Sequence, residues 1–443
     1  MDFFDILFLI AWAIVPFIWF LVLRLGGIPA LTLSLPNIVI FFIIIFNYIG
    51  FPVLYFDLDS ERAIFISNKS ILLQTWLITS GTTFLMVIGS YMGALTLGPL
   101  GFFKRYDASP IYIPNYIIKR TNVVGIFCIC ILLLFVYKIS FSNLAVIVAL
   151  TDGSVQDIAL ARSRMGNDFG GSYHWYQVFM RDVLMFISLI LLAARWLNIG
   201  RVSLILLYIF IILNIFSLIM ATEKGWLANY IILLMLGYII AKNEGKISFL
   251  RVLLFLFPLF IIIVMFYILF MGDLSFGKAV ISVFSRTFTG SLQPAYHYVE
   301  FFPTSHDWLY GTTFPNPGGF LPFTPYNLTI ELMNFVNPEH LDNNIVGTMP
   351  AIYWGEVYAN FGYFGLVLIP ALIGFLLYLL NWLIFKLEFN PLNISLFAWL
   401  LVHYRDLSIT SFSVFVFDFT LYIIFLIYII IRIPLFKSGK VLR

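Results

Sequence analysis

The uncharged stretch VLLFLFPLFIIIVMFYILFM, residues 252–271, decides the fold class. A helix needs about 20 consecutive apolar residues to cross the ~30 Å hydrocarbon core of a bilayer, and this stretch has that length. Similar runs recur along the chain: 62% of its residues are hydrophobic and only 11% are charged. Soluble domains carry about 25% charged residues. The sequence therefore predicts an all-α polytopic integral membrane protein with one transmembrane domain over residues 1–443.

About eleven apolar segments are predicted to cross the membrane, which places the termini on opposite sides. The first is interpreted as a retained helix, because it lacks the basic start and the cleavage site of a signal peptide. The segment at 351–384 is too long for one simple crossing, and its first part, AIYWGEVYANFG, is interpreted as interfacial or re-entrant. The predicted spans are 3–24, 37–56, 71–96, 122–142, 178–197, 202–222, 226–241, 248–271, 351–384, 391–411 and 413–434.

Basic residues orient this topology, because Lys and Arg are enriched in cytoplasmic loops. About fifteen of the 25 Lys and Arg residues fall on one side if the N-terminus is extracytoplasmic. They are Arg24, Lys104, Arg105, Lys119, Arg120, Arg195, Arg201, Lys242, Lys246, Arg251, Lys386, Arg432, Lys437, Lys440 and Arg443. The sequence therefore predicts a C-terminus in the cytoplasm and an N-terminus outside it.

Two predicted outer loops, 143–177 and 272–350, are longer than a turn requires. Long loops in compact proteins are usually functional. The predicted cytoplasmic loops are too short for a nucleotide-binding domain, and no phosphate-binding G-x-x-x-x-G-K-[ST] motif occurs. Any chemistry is therefore expected on the outer side.

Five cationic residues fall on that side, although outer loops usually carry few of them. They are Arg162, Arg164, Lys224, Arg286 and Arg405. Arg binds phosphate through two parallel hydrogen bonds and Lys binds it as a point charge. If these residues converge, they form an outward-facing cationic cavity for phosphate or pyrophosphate.

Ordinary ion pairing is the alternative interpretation of these cations. Surface pairs are common and contribute little, whereas an ionisable residue inside a span is a functional hypothesis by default. The candidate partners are Asp157 and Asp168 for the loop arginines, Glu223 for Lys224, and Asp406 for Arg405.

Glu356 lies where the chain re-enters the membrane, among aromatic residues that include Tyr358. A carboxylate in such surroundings is suited to bind sugar hydroxyls or to accept a proton. Interfacial aromatic belts are the alternative explanation of the tyrosines. Three loop histidines, His297, His306 and His340, are alternative bases. No metal-ligand spacing appears, so no metal site is predicted.

Four short stretches carry a resemblance to a known family: TEKGW at 222–226, SRTFTG at 285–290, GTMPAIYWGEVYANFGYFG at 347–365 and HYRD at 403–406. With the number of spans and the two long outer loops, the chain resembles the bacterial O-antigen polymerases. These are the oligosaccharide repeat-unit polymerases of the Wzy-dependent pathway. Many members carry Arg where this chain has Lys224, which puts bidentate phosphate contact there in doubt.

The resemblance implies a metal-independent membrane glycosyltransferase of GT-C-like architecture, without a cofactor, in the bacterial inner membrane. Its two long loops and its N-terminus would be periplasmic. It would transfer a growing undecaprenyl-pyrophosphate-linked oligosaccharide to another lipid-linked unit. Its other partners would be the bilayer, a flippase and a chain-length regulator, and no nucleic acid is implied.

Site roles follow from that reaction. A pyrophosphate leaving group needs cations, which assigns Arg286 and Arg405 to catalysis and Lys224, Arg162 and Arg164 to binding. Glu356 is assigned to acceptor activation, and His403 and Tyr358 are placed in the substrate-binding set. An O-antigen ligase-type transferase, for which a loop histidine is the expected base, remains an alternative. A transporter of polysaccharides or lipid-linked oligosaccharides is the other.

Overall fold

A computed structural model describes residues 3–103, 114–151, 153–166, 173–270, 275–339 and 347–433. Within these ranges the chain is helical and contains no β-strand. Nine helices there are long and apolar enough to cross a membrane: Phe3–Leu25, Leu35–Tyr55, Lys69–Leu97, Asn115–Ile139, Tyr173–Trp196, Lys224–Asn243, Leu250–Leu269, Tyr353–Phe385 and Phe412–Arg432. The chain is therefore a polytopic helical membrane protein, as its composition predicts.

Two of the eleven predicted spans form shorter helices. Leu204–Ile219 has 16 residues and Pro391–Arg405 has 15. A straight crossing of the hydrocarbon core takes about 20 residues, so neither reaches that length alone. The nine longer helices agree with nine of the predicted spans, and the count of eleven stays a prediction.

The two long segments between spans contain helices of their own. In the first they are Ala145–Leu150 and Val155–Gly166, and in the second Phe276–Phe288, Leu292–Phe301 and Leu328–Val336. Shorter helical turns are Ser60–Ala63, Phe141–Asn143, Pro317–Gly319 and Asp406–Ser408. Short helices therefore make up most of the described part of 143–177 and only part of that of 272–350.

The chain divides into two compact units, each made of segments that are distant in sequence. The first comprises Met1–Phe102, Val280–Lys386 and His403–Asp418, and the second comprises Phe103–Ala279, Leu387–Val402 and Phe419–Arg443.

Two glycines set the closest helix contact of the first unit, between Lys69–Leu97 and Tyr353–Phe385. A Cβ on Gly89 would lie 1.9 Å from the Ala371 carbonyl oxygen, and one on Gly374 would lie 1.8 Å from that of Met86. The Ser90 hydroxyl donates to the Gly374 carbonyl at 3.0 Å across this contact. Small residues let membrane helices approach until their backbones touch, and the polar bond adds to that packing.

A third glycine divides the helix Tyr353–Phe385. Gly362 has φ 56° and ψ −148°, a conformation that only glycine adopts without strain. Residues before it are buried, whereas Tyr363, Phe364, Val367 and Leu368 after it are exposed. The segment thus has a buried first part and a more exposed second part, and the interpretation of AIYWGEVYANFG as interfacial or re-entrant stays a prediction.

The second unit is organised around the helix Tyr173–Trp196. In its most apolar stretch 78% of the residues are buried, the largest share among the nine described spans. It packs against Asn115–Ile139, Leu204–Ile219 and Lys224–Asn243. The Ser188 and Tyr230 hydroxyls bond at 2.9 Å inside this core. A polar residue on this helix therefore needs its partner within the protein.

The glycine contact of the first unit gives a stability prediction. We expect Gly89→Leu to lower the free energy of unfolding by about 1–3 kcal/mol or more, because the side chain has no space. The thermal midpoint in detergent measures the effect. Gly81→Leu on the same helix is the control, since Gly81 is exposed with nothing within 4 Å of its Cβ position. Equal midpoints for the two variants would contradict the packing described.

Candidate functional site

The eight predicted site residues are divided between the units. The first unit contains Arg286, Glu356, Tyr358, His403 and Arg405, and the second contains Arg162, Arg164 and Lys224.

In the second unit, the ATEKGW turn at residues 221–226 joins two apolar helices and collects cationic side chains. Arg162 donates from Nε to the Ala221 carbonyl at 3.1 Å and from Nη2 to the Thr222 hydroxyl at 2.6 Å. Asp157, one of its candidate partners, instead accepts hydrogen bonds from Ser154. The other candidate, Asp168, lies outside the described residues. Arg162 thus bonds to residues of the turn rather than to Asp157.

Arg181 is the second cation at this turn, and its side chain is fully buried. It lies in the π-helical turn Val178–Val183, a geometry that recurs at functional sites. Its Nη1 is 3.0 Å from Glu223 Oε2, and its guanidinium lies 5.0 Å from the ring centre of Trp226. The Nε atom is buried without a hydrogen-bond partner among the described residues. A buried charged donor of this kind is suited to an added acceptor.

Lys224 is the third cation, and it lies within the turn itself. Its Nζ is 3.0 Å from the ring centre of Tyr267, close enough for a cation–π contact. Arg164 is exposed on the same short helix as Arg162. We call Arg162, Arg181, Glu223 and Lys224 the turn site. The turn site brings three cations and one carboxylate to the six residues of the ATEKGW turn. This excess of positive charge favours an anionic ligand such as a phosphate.

In the first unit, Glu356 is buried and its carboxylate is occupied. The Ser413 backbone N–H donates to Oε2 at 2.6 Å, and the Thr313 hydroxyl and the Phe412 N–H bond the same carboxylate. A carboxylate at the N-terminus of a helix, here Phe412–Val416, is favourably placed. Glu356 thus ties this helix to the loop that contains Thr313.

Arg405 and His403 of HYRD each have a neighbouring carboxylate. Arg405 Nε lies 3.0 Å from Asp406 Oδ1, and the guanidinium lies 5.3 Å from the ring centre of Phe42. His403 Nε2 is 2.9 Å from Asp418 Oδ2. The internal pair considered for Arg405 is therefore present, and Arg405 itself is buried.

Arg286 and Tyr358 differ in their surroundings. Arg286 is exposed on the helix Phe276–Phe288, with no hydrogen bond or ion pair to any residue that the structure describes. Tyr358 is buried and donates its hydroxyl proton to the Phe302 carbonyl at 3.3 Å. Arg286 is open to a ligand, whereas Tyr358 is part of the packing.

A buried histidine and a carboxylate form a further candidate pair on the helix Leu292–Phe301. His297 Nδ1 lies 2.8 Å from Glu300 Oε2. His297 Nε2 is buried without a hydrogen-bond partner among the described residues. A carboxylate at one ring nitrogen orients the imidazole, so that the other nitrogen can exchange a proton with a substrate. The pair has the geometry of a general base and its orienting residue.

Sequence reasoning missed Arg181 and gave His297 little weight. Arg181 lies inside the predicted span 178–197, and the rule that singled out Arg405 applies equally to it. His297 and Glu300 are three residues apart, which places them on one face of a helix once that segment is assigned as helical. His306 is partly exposed, and His340 lies outside the described residues.

Comparison of the chain with family models, with curated proteins and with solved structures gives no match. No group of three or more His, Cys, Asp or Glu side chains that could hold a metal ion occurs in the described ranges. The functional interpretation therefore rests on the geometry of the two units.

The His297–Glu300 pair gives a pH prediction. The hydrogen bond with His297 is the main cause that holds the pKa of Glu300 below its ordinary value of 4.5, while burial opposes it. A lowered pKa stabilises the folded state above the ordinary value, and this contribution disappears as the pH falls through the folded-state pKa. We expect acidification from about pH 6 to about pH 3 to lower the thermal midpoint less in Glu300→Gln than in the parent.

Glu61→Gln is the matched control, because Glu61 is an exposed carboxylate in the same unit. It should follow the parent curve. Parallel curves for the parent and Glu300→Gln would show that Glu300 is not held by His297.

Proposed function

We propose that the chain is an oligosaccharide repeat-unit polymerase, a membrane glycosyltransferase of surface polysaccharide synthesis. The observation that carries this proposal is the turn site, where Arg162, Arg181 and Lys224 meet at one turn between two membrane helices. A lipid-linked pyrophosphate has the matching charge, and its lipid tail matches the apolar helices beside the turn.

The proposed reaction joins two lipid-linked oligosaccharides. A hydroxyl of the acceptor sugar attacks the anomeric carbon of the growing chain, and the bond from that carbon to the pyrophosphate oxygen breaks. The bonding electron pair leaves with undecaprenyl pyrophosphate, and the hydroxyl proton passes to a base. Negative charge develops on the leaving oxygen, where preorganised cations lower the barrier. Arg181 is held ready for this role by its pairing with Glu223.

Within the first unit, His297 is a better candidate for a base than Glu356. His297 Nε2 has no hydrogen-bond partner among the described residues, and Glu300 orients the ring. The Glu356 carboxylate already accepts several hydrogen bonds, which makes it a positioning residue. Exposed Arg286 is suited to bind the phosphates of a lipid carrier. Arg405 and His403 instead contact the carboxylates of Asp406 and Asp418. Tyr358 supports the packing around Glu356.

The proposed setting is the inner membrane of a bacterium, with the N-terminus in the periplasm and the C-terminus in the cytoplasm. Support comes from the distribution of Lys and Arg among the loops. In this setting the turn site faces the periplasm, where a flippase delivers the lipid-linked units and a chain-length regulator acts on the product.

One observation favours a second candidate, an O-antigen ligase-type transferase. A ligase passes the finished chain to a lipid A core, and a histidine is the base expected for it. The His297–Glu300 pair fits that requirement as well as it fits polymerisation. The two candidates differ in the product that accumulates when the protein is lost.

Deleting the protein in its host tests the proposal directly. We expect the surface polysaccharide gel to show a single repeat unit on the lipid core, because export continues while polymerisation stops. A ladder that persists unchanged rules the polymerase out, and the loss of the single unit as well identifies the ligase.

Complementation of that strain tests the turn site. We expect Arg181→Lys and Lys224→Met to reduce polymer by about 10²-fold, because each removes phosphate donors from the transition state. Lys224→Arg should keep the ladder. Arg195→Ala is the matched control, since Arg195 is exposed at the other end of the Arg181 helix. Full ladders from both site variants, at normal protein levels on an immunoblot, would exclude the turn site.

His297→Gln tests the base. The amide keeps a side chain of similar size but accepts no proton, so we expect polymer to fall by about 10²-fold or more while the protein level on an immunoblot stays near that of the parent. Glu356→Gln should instead lower the midpoint, because the buried carboxylate loses its charge-assisted bonds. Normal ladders from His297→Gln would show that another residue is the base.

A further inference from the structure

The loop at residues 310–323, which we call the aromatic finger, has a rigid base. The Leu309 and Tyr310 N–H groups donate to the carbonyls of Ala359 and Asn360 at 2.9 and 3.0 Å. The Gly311 N–H donates to the Asn360 side-chain oxygen at 2.8 Å. The finger is therefore fixed to the helical segment just before the break at Gly362.

One asparagine organises the interior of the finger. The Asn316 amide donates to the carbonyls of Leu321 and Phe323 at 2.8 and 2.7 Å, and its oxygen accepts the Leu321 N–H at 2.8 Å. These bonds use the polar atoms of the only amide side chain near the tip. The finger thus keeps its shape without help from a ligand.

The tip of the finger is apolar and projects away from the protein. Phe320 is 94% exposed and Leu321 is exposed beside it. The six residues PGGFLP, 317–322, have no polar side chain, and no charged residue occurs between Asp307 and Glu331. A sugar-binding surface would need polar side chains at the tip to fix the orientation of the ligand.

The position of the finger identifies what its tip meets. Asn360, which holds its base, lies just before the break at Gly362, and the exposed apolar residues Tyr363 and Phe364 of the crossing segment lie just after it. An exposed apolar surface on a membrane-spanning helix faces lipid. The base of the finger is therefore at the edge of the bilayer, where aromatic side chains are favourably placed.

We propose that the aromatic finger inserts Phe320 and Leu321 into the interfacial region of the bilayer. The lipid surface is its partner, and the anchored finger holds the large loop beside the membrane. Burial of two apolar side chains and the absence of charge make this insertion favourable. The inference is independent of the reaction proposed for the chain.

Site-specific fluorescence tests the insertion in the full chain. Cys130→Ser removes the exposed cysteine and leaves Cys128 buried. Phe320→Cys then carries an environment-sensitive dye in phosphatidylcholine vesicles, and because the position is exposed the fold should tolerate the label. We expect lipids with a nitroxide near the top of the acyl chain to quench this dye roughly twofold or more, and aqueous iodide to quench it weakly.

Ser305→Cys, carrying the same dye, is the matched control. Ser305 is exposed in the same unit beside Thr304 and Asp307, which favour water. Iodide should quench this label strongly and the nitroxide lipid weakly. Equal iodide quenching at both positions, without lipid quenching at Phe320, would overturn the proposal. It would indicate that the tip binds a protein or a glycan instead.

Discussion

A polar group inside a bilayer has no water to bond with, so its partner must come from the protein itself. This constraint explains the bonds that join distant segments in each unit. In the first, Ser90 donates to the Gly374 carbonyl, and the side-chain amide of Asn47 donates to the Ser408 carbonyl. In the second, Arg181 pairs with Glu223. Apolar helix surfaces pack about equally well against lipid and against one another. Each of these bonds therefore determines which segment becomes the neighbour.

The need for a partner within the protein also distinguishes cations that stabilise the fold from cations that are suited to bind a ligand. Arg405 has its carboxylate in the next residue, so the pair forms within one helical end and leaves little charge for a ligand. Glu223 is instead one carboxylate at a turn that Arg162, Arg181 and Lys224 all approach. The turn thus carries an excess of positive charge. In the first unit, His297 and Glu300 form a pair of a different kind, in which the carboxylate orients the imidazole.

The amino-acid sequence predicts the membrane class and the positions of the long spans, because hydropathy is a local property of the chain. It singles out Lys224 and Arg162 among five cations expected to converge, but not the bonds of Arg162 to Ala221 and Thr222. Arg181 and Glu223 are 42 residues apart, and no local pattern relates them. The occupied carboxylate of Glu356 likewise depends on Ser413, which lies 57 residues further along. Pairings of this kind are set by tertiary packing, which helix periodicity does not encode.

The break at Gly362 affects how the protein adjusts to membranes of different thickness. A spanning helix adjusts to a thinner or thicker hydrocarbon layer by changing its tilt. Here the lipid-facing crossing begins after the glycine, whereas Glu356 and Asn360 are fixed to neighbouring segments before it. A change in tilt can therefore be taken up by the φ and ψ angles of a single residue. The contacts around Glu356 are then insulated from the lipid composition that surrounds the rest of the helix.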